Sequence, residues 1–206
     1  MTEQLAELLA DRLRPLPFLE RVVGLARPVD RLVQEELEDE KHQTRRTKTP
    51  EPLAFPPDTD ECLRDERYLL PDQNTASILF FEDQGTVDYQ IAPSQYGKES
   101  TLRLLGWFNP AKFSDPLPEN ALLDAITRAL RLRVRETAGD YQYLTITATV
   151  LPAEAALFSK YTYAADATPL LYPPYKLLGL ELKCRYFYQP ECPVPDLPTI
   201  VDLKRC

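Results

Sequence analysis

Residues 161–188 read YTYAADATPLLYPPYKLLGLELKCRYFY, and the second half of that stretch decides the fold. Leu178, Leu180, Leu182, Cys184 and Tyr186 fall on one side of an extended chain, while Gly179, Glu181, Lys183 and Arg185 fall on the other. Alternation sustained over this length predicts a long strand with one face buried. Such a strand needs partners to pair with and a layer to bury against. The rest of the chain offers shorter strands and two helical patterns. The expected class is α+β: a mixed, mostly antiparallel sheet flanked by two helices on one side, with a long extended arm or loop.

The helices flank the sheet in sequence. Leu5, Leu8, Leu9 and Leu13 recur at helical spacing after Thr2, which suits a cap, and Pro15 and Pro17 stop the helix. Its narrow apolar stripe predicts packing on a sheet. Residues 118–134 (PENALLDAITRALRLRV) form the second helix, with Leu122, Leu123, Ile126, Ala129 and Leu130 on one face. Pro118 suits the first turn, and Arg131, Arg133 and Arg135 suit the negative end of the helix dipole.

Between and after the helices lie the strands. Residues 18–29 (FLERVVGLARPV) read as a short strand broken by Gly24 and Pro28. Residues 77–82 (SILFFE) and 86–91 (TVDYQI) read as a hairpin turned by Asp83, Gln84 and Gly85. A loop at 93–98 leads to a strand at 101–108 (TLRLLGWF), where Trp107 reads as a core or edge plug. Residues 141–151 (YQYLTITATVL) alternate again, with Leu144, Ile146, Ala148 and Val150 facing in and the threonines facing out. Residues 153–160 make at most a short helical turn.

Two segments lack core residues. Residues 34–67 pass from acidic (QEELEDE) through basic (KHQTRRTK) to proline-rich (TPEPLAFPPDTDE), and read as an arm or extended loop. The basic patch of Lys41, Arg45, Arg46 and Lys48 suits an acidic neighbour or DNA; a solvated loop whose charges balance the acidic run is the simpler account. Residues 191–206 form an extended tail whose prolines bar it from a central sheet position. The domain proper is expected to occupy residues 1–190.

Composition narrows the function. The chain has 206 residues, enough for one domain held by its own core. It has 20 prolines against 6 glycines, which favours stiff connections. A formal charge of −8 speaks against general phosphate-backbone binding. No apolar run is long enough to span a membrane, and Glu3, Glu7 and Asp11 interrupt any signal-peptide core. Cys62, Cys184, Cys192 and Cys206 form no C-x-x-C pair, so reduced thiols in a cytoplasmic setting are expected, with Cys184 acting as a small apolar residue on the buried strand face.

No motif of enzyme chemistry is present. There is neither a phosphate-cradling glycine loop nor a nucleophile elbow. His42 is the single histidine and lies in the charged segment. Asp58, Asp60 and Glu61 lack the spacing and glycine of a calcium loop. No catalytic, cofactor or metal residue is nominated, and an enzyme is not expected.

Three pieces carry a resemblance: FLERVVGLARPV after a short N-terminal helix, SILFFEDQGTVDYQ before TLRLLGWFNP, and FSKYTY with LLYPPYKLLGLELKCRYF at the close. Together with the order of elements, they resemble the tail-terminator and neck (tail-completion) proteins of tailed bacteriophages of Bacteroidetes type. The resemblance implies a structural virion protein, a ring of copies, six in number, at the head-proximal end of the tail. That ring stops tube growth and joins tail to head. Its implied partners are the chain itself, the tail tube protein and the head-to-tail connector proteins, with DNA contact only through the lumen and none with membrane. The implied location is the virion neck, and the host cytoplasm during assembly. Candidate contacts are Arg45, Arg46, Lys48, Phe158, Tyr161, Val194, Leu197 and Ile200. A head-completion protein or other neck adaptor, and a non-viral protein-binding module, are the alternative readings.

Overall fold

The computed structural model describes residues 1–36, 42–53, 68–92, 95–113, 118–131, 136–138, 141–165 and 167–188. Seven strands form one sheet in the order β2-β1-β3-β4-β7-β6-β5. They are β1 (Arg21–Glu36), β2 (His42–Pro52), β3 (Ser77–Ala92), β4 (Gln95–Phe108), β5 (Glu136–Ala138), β6 (Tyr141–Leu151) and β7 (Lys176–Tyr188). Helices α1 (Thr2–Leu13) and α2 (Glu119–Ala129) complete the α+β fold. All pairings are antiparallel except β1 with β3.

The alternating stretch is the interior strand β7, held between β4 and β6. Its even-numbered side chains from Leu178 to Tyr186 join one core with Leu79, Phe81, Leu102, Leu104, Leu144 and Ile146. Both helices cover that face, α1 through Leu5, Leu9 and Leu13 and α2 through Leu122, Ile126 and Leu130. The opposite face is buried at one end, while Lys183 and Arg185 at the other end of β7 stay exposed. Ile78, Phe80, Leu105, Trp107 and Leu177 meet Leu157, Phe158, Tyr161, Tyr163, Leu170 and Leu171 from the β6–β7 connection. Among its described residues, that connection has only short 3-10 turns, at Ala155–Phe158 and Thr168–Leu171. Trp107 is a core plug: its indole donates to the Leu170 carbonyl at 2.7 Å and stacks on Tyr175.

Gly179 is where the second layer comes closest. A Cβ there would lie 2.5 Å from a Leu157 methyl and 3.0 Å from the Leu151 Cβ. The glycine in the alternating stretch thus lies in the buried part of that face, not in solvent.

Four readings are corrected. The hairpin at 77–91 is a single strand, with Asp83–Gly85 forming a bulge against Leu102 and Thr101. The Asp83 carboxylate accepts from the Gly85 N–H at 2.8 Å, and Gly85 has a φ of 113°. A residue composition that suits a turn here inserts one extra residue and bends the strand, because β4 pairs with both halves. The loop at 93–98 is likewise shorter than expected, since β4 starts at Gln95.

The strand at 18–29 is likewise not broken at Gly24 or Pro28. β1 slips register against β3 between Val22 and Leu25, then continues as half of a ribbon with β2. Pro28 lies opposite Pro50 in that ribbon. Lys48 exchanges both backbone hydrogen bonds with Thr162, so it and every second residue of β2 point away from β1. The prolines occupy that same parity, where the ladder needs no N–H. Finally, residues 42–52 of the expected arm or loop are strand β2.

The remaining differences are local. Met1, not Thr2, occupies the cap of α1. Ala148 is half-buried and Val150 is 57% exposed, so the inward row of β6 is only partly covered. Arg133 and Arg135 lie outside the described residues. Cys184 is buried, and burial pushes its thiol up to about 12.

Candidate functional site

Of the residues expected at contacts, Arg45, Arg46 and Lys48 are exposed on β2. Arg46 pairs across the ribbon with Leu32, which is 69% exposed, and Lys48 pairs with Asp30. Beyond Ala26 the ribbon is paired only with itself among the described strands. It therefore presents a mixed apolar and cationic outer face. Lys41, Val194, Leu197 and Ile200 lie outside the described residues.

Phe158 and Tyr161 are a correction. Both are buried, and both rings pack edge-on against Phe80. They close the second face of the chain's own sheet and leave almost no surface exposed. Their position in a segment without periodicity hid this, since no local signal marks a covering loop.

Beside them sits a polar cluster that the sequence does not announce. Glu82 is 3% exposed at the end of the apolar run of β3. Lys160 Nζ lies 3.0 Å from its carboxylate, Arg103 lies 3.9 Å away, and Gln84 donates at 3.2 Å. Glu82 Oε1, Arg103 Nε and the hydroxyls of Tyr161 and Tyr163 are buried without a protein hydrogen bond. The Tyr161 hydroxyl is near enough to feel the Glu82 charge, yet its geometry falls short of a hydrogen bond. Burial first, and then that charge, raises both phenols, so they remain protonated. The cluster offers neutral hydroxyls and a paired carboxylate, without a nucleophile activated by a base.

A cleft of about 660 Å³ opens between the ribbon and residues 68–75. Its arginines already make contacts: Arg21 donates to the Tyr68 carbonyl at 2.9 Å, and Arg31 lies 4.6 Å from the centre of the Tyr68 ring. The residues lining it include neither histidine nor cysteine. They hold a loop against the ribbon and assemble no catalytic constellation.

The two lateral edges of the sheet differ most. The β2 edge carries Arg46, Lys48, Pro50 and Pro52. It is capped by the exchange between Lys48 and Thr162, and by the Leu69 N–H donating to the Pro50 carbonyl at 2.9 Å. At the other end, the short β5 pairs with β6 only up to Leu144. Residues 145–151 (TITATVL) therefore have a strand on one side alone, β7, among the described residues. That stretch has no charge and no proline, and its exposed residues include Thr147, Thr149 and Val150. Soluble proteins usually blunt such an edge with charge, proline or a covering segment.

Among the described residues, no helix is long and apolar enough to cross a membrane. No family model matches the chain, nor does any curated protein or solved structure.

Proposed function

We propose that this chain is a structural assembly subunit: a tail-terminator or neck protein that forms a closed ring at the head-proximal end of a phage tail. The observation that carries the reading is the contrast between the two ends of the sheet. One end projects a ribbon with exposed Leu32, Arg45, Arg46 and Lys48. The other ends in the uncharged edge of β6. Rotational rings are built by unlike patches on opposite flanks of each subunit, and a head-to-tail contact closes when the rotation divides the circle. The sequence resemblance supplies the placement: six copies, stacked on the tail tube protein and facing the connector, with the structural role lying in shape and not in bond-making.

Native mass spectrometry and sedimentation over a concentration series, with electron microscopy of the resulting species, test this reading. The expected result is a cyclic oligomer, six-membered, that stacks on tube ends. A monomer at every concentration, and no ring in the presence of tube assemblies, overturns it.

A further inference from the structure

The uncapped edge of β6 poses a concrete question: which extended segment pairs with residues 145–151? An incoming strand there would find free backbone groups from alternate residues, an apolar row of Ile146, Ala148 and Val150 on the helix side, and a hydroxyl row of Thr145, Thr147 and Thr149 on the other. Partner strands of this kind are held by main-chain hydrogen bonds and selected by alternate side chains. The candidate must be free of proline over at least one ladder stretch, because proline offers no N–H.

We propose that the edge is completed by residues 199–203 (TIVDL) from the C-terminal segment of a neighbouring copy, which adds an eighth strand to the sheet. This rests on the ring reading and names the contact that joins one subunit to the next. Two observations select the occupant. First, the described chain ends at Tyr188, which pairs with Tyr141 at the start of β6, and 18 residues, 189–206, follow it. Second, the prolines of that segment, Pro190, Pro193, Pro195 and Pro198, all precede Thr199, so TIVDL lies in the one stretch of the segment with more than two successive N–H donors.

The alternation fits as well. Thr199, Val201 and Leu203 on one side would lie along the row of Ile146, Ala148 and Val150, leaving Ile200 and Asp202 on the threonine side. Burying Val150 in this way removes an exposed apolar side chain.

The proline spacing also selects a neighbour over the chain's own edge. Proline-rich chain is stiff and extends at about 3.1 Å per residue, so ten residues reach roughly 30 Å. To pair at its own edge, the segment would have to reverse around the end of β6 and pass outside β5 within two strand spacings, about 10 Å. A stiff spacer carries TIVDL outward instead.

The test compares the full-length chain with Ile200→Pro and Val201→Pro. Neighbouring residues point their N–H groups to opposite sides, so one of the two variants must break the ladder. Val201→Ile serves as a conservative control. Hydrogen exchange of residues 145–151 is read alongside native mass. In the assembled wild type and in Val201→Ile, these amides are expected to exchange at least tenfold more slowly than in dilute monomer. One proline variant loses both the protection and the oligomer while its monomer keeps the wild-type circular dichroism. An oligomer whose 145–151 amides stay unprotected, or that survives both prolines, overturns this contact and leaves the ring reading standing. Protection that persists in dilute monomer and disappears with proline places the segment on its own sheet and overturns the exchange between copies. A chain that never oligomerises removes the ring reading and this contact together.

Discussion

The two faces of the sheet bury comparable side chains by different means. One face lies under α1 and α2 and is apolar nearly throughout, closing around Leu180, Leu182 and Cys184. The other lies under the irregular connection from β6 to β7, and it mixes Phe80, Trp107 and Phe158 with the buried Glu82. A regular helix repeats its apolar residues and locks onto a sheet along its whole length. The loop's backbone hydrogen bonds are local and form isolated turns, not a continuous ladder, so it depends on anchors such as Trp107 and on the polar pair at Glu82. The difference implies that the first face unfolds with the whole domain and the second opens by parts.

The largest test of this contrast sets Leu180→Ala against Phe158→Ala. Leu180 is fully buried under the helices, and its truncation is expected to cost about 2–5 kcal/mol of global stability by urea denaturation. Phe158→Ala should cost less globally while speeding exchange of amides across 155–171 more than elsewhere. Equal global losses with uniform exchange would erase the distinction between the faces.

Next comes Gly179→Ala, which drives a methyl into Leu157 and is expected to cost about 1–3 kcal/mol. Combining it with Leu157→Ala should recover part of that loss in thermal denaturation. A fully additive double variant would show that the close approach is not what constrains this position.

Lys160→Ala removes the nearest charge from buried Glu82 and should cost about 1–3 kcal/mol. In a Glu82→Leu background the same change should cost little, since no buried carboxylate remains to be compensated. A double-mutant cycle measures the coupling, and a value near zero would remove Glu82 from the anchoring of the loop face.

A pH dependence in the alkaline range is the last test. The Cys184 thiol is raised to about 12 by burial, from an ordinary value of about 8.5. The unfolded chain loses this proton first, so the folded state's advantage is complete below about pH 8.5 and declines as pH rises towards the folded value. Tyr161 and Tyr163 are raised as well, and add to the decline in the same direction. Stability measured across pH 8–11 should therefore fall, and Cys184→Ala should make the slope shallower. An unchanged slope would place the titration wholly on the loop face.

Much of the helix face was legible because period carries it. Leu5, Leu9 and Leu13 state a helical stripe, and the even-numbered residues of β7 state a strand face, before any partner is known. The loop face had no such periodicity. Phe158 and Tyr161 read as surface contacts, and Gly179 as a solvent-side residue, because only the chain's return across β3 and β4 covers them. The candidate interaction surface was legible in part. The exposure of Arg45, Arg46 and Lys48 follows from their charge, but an alternating stretch such as TITATVL reads the same at the centre of a sheet as at its edge.

By itself, the amino-acid order determined the elements with strong local periodicity, the end of α1 at its prolines, and the burial of Trp107 and Cys184. Those properties depend on neighbours three or four residues away along a helix, or two along a strand. Tertiary structure alone decided that Asp83–Gly85 bends a strand instead of reversing it, that Pro28 and Pro50 share a ribbon, and that β2 is capped while residues 145–151 of β6 pair on one side alone among the described residues. Each of these is settled by hydrogen-bond partners distant in the chain, and the energy of such a pairing is absent from any local window.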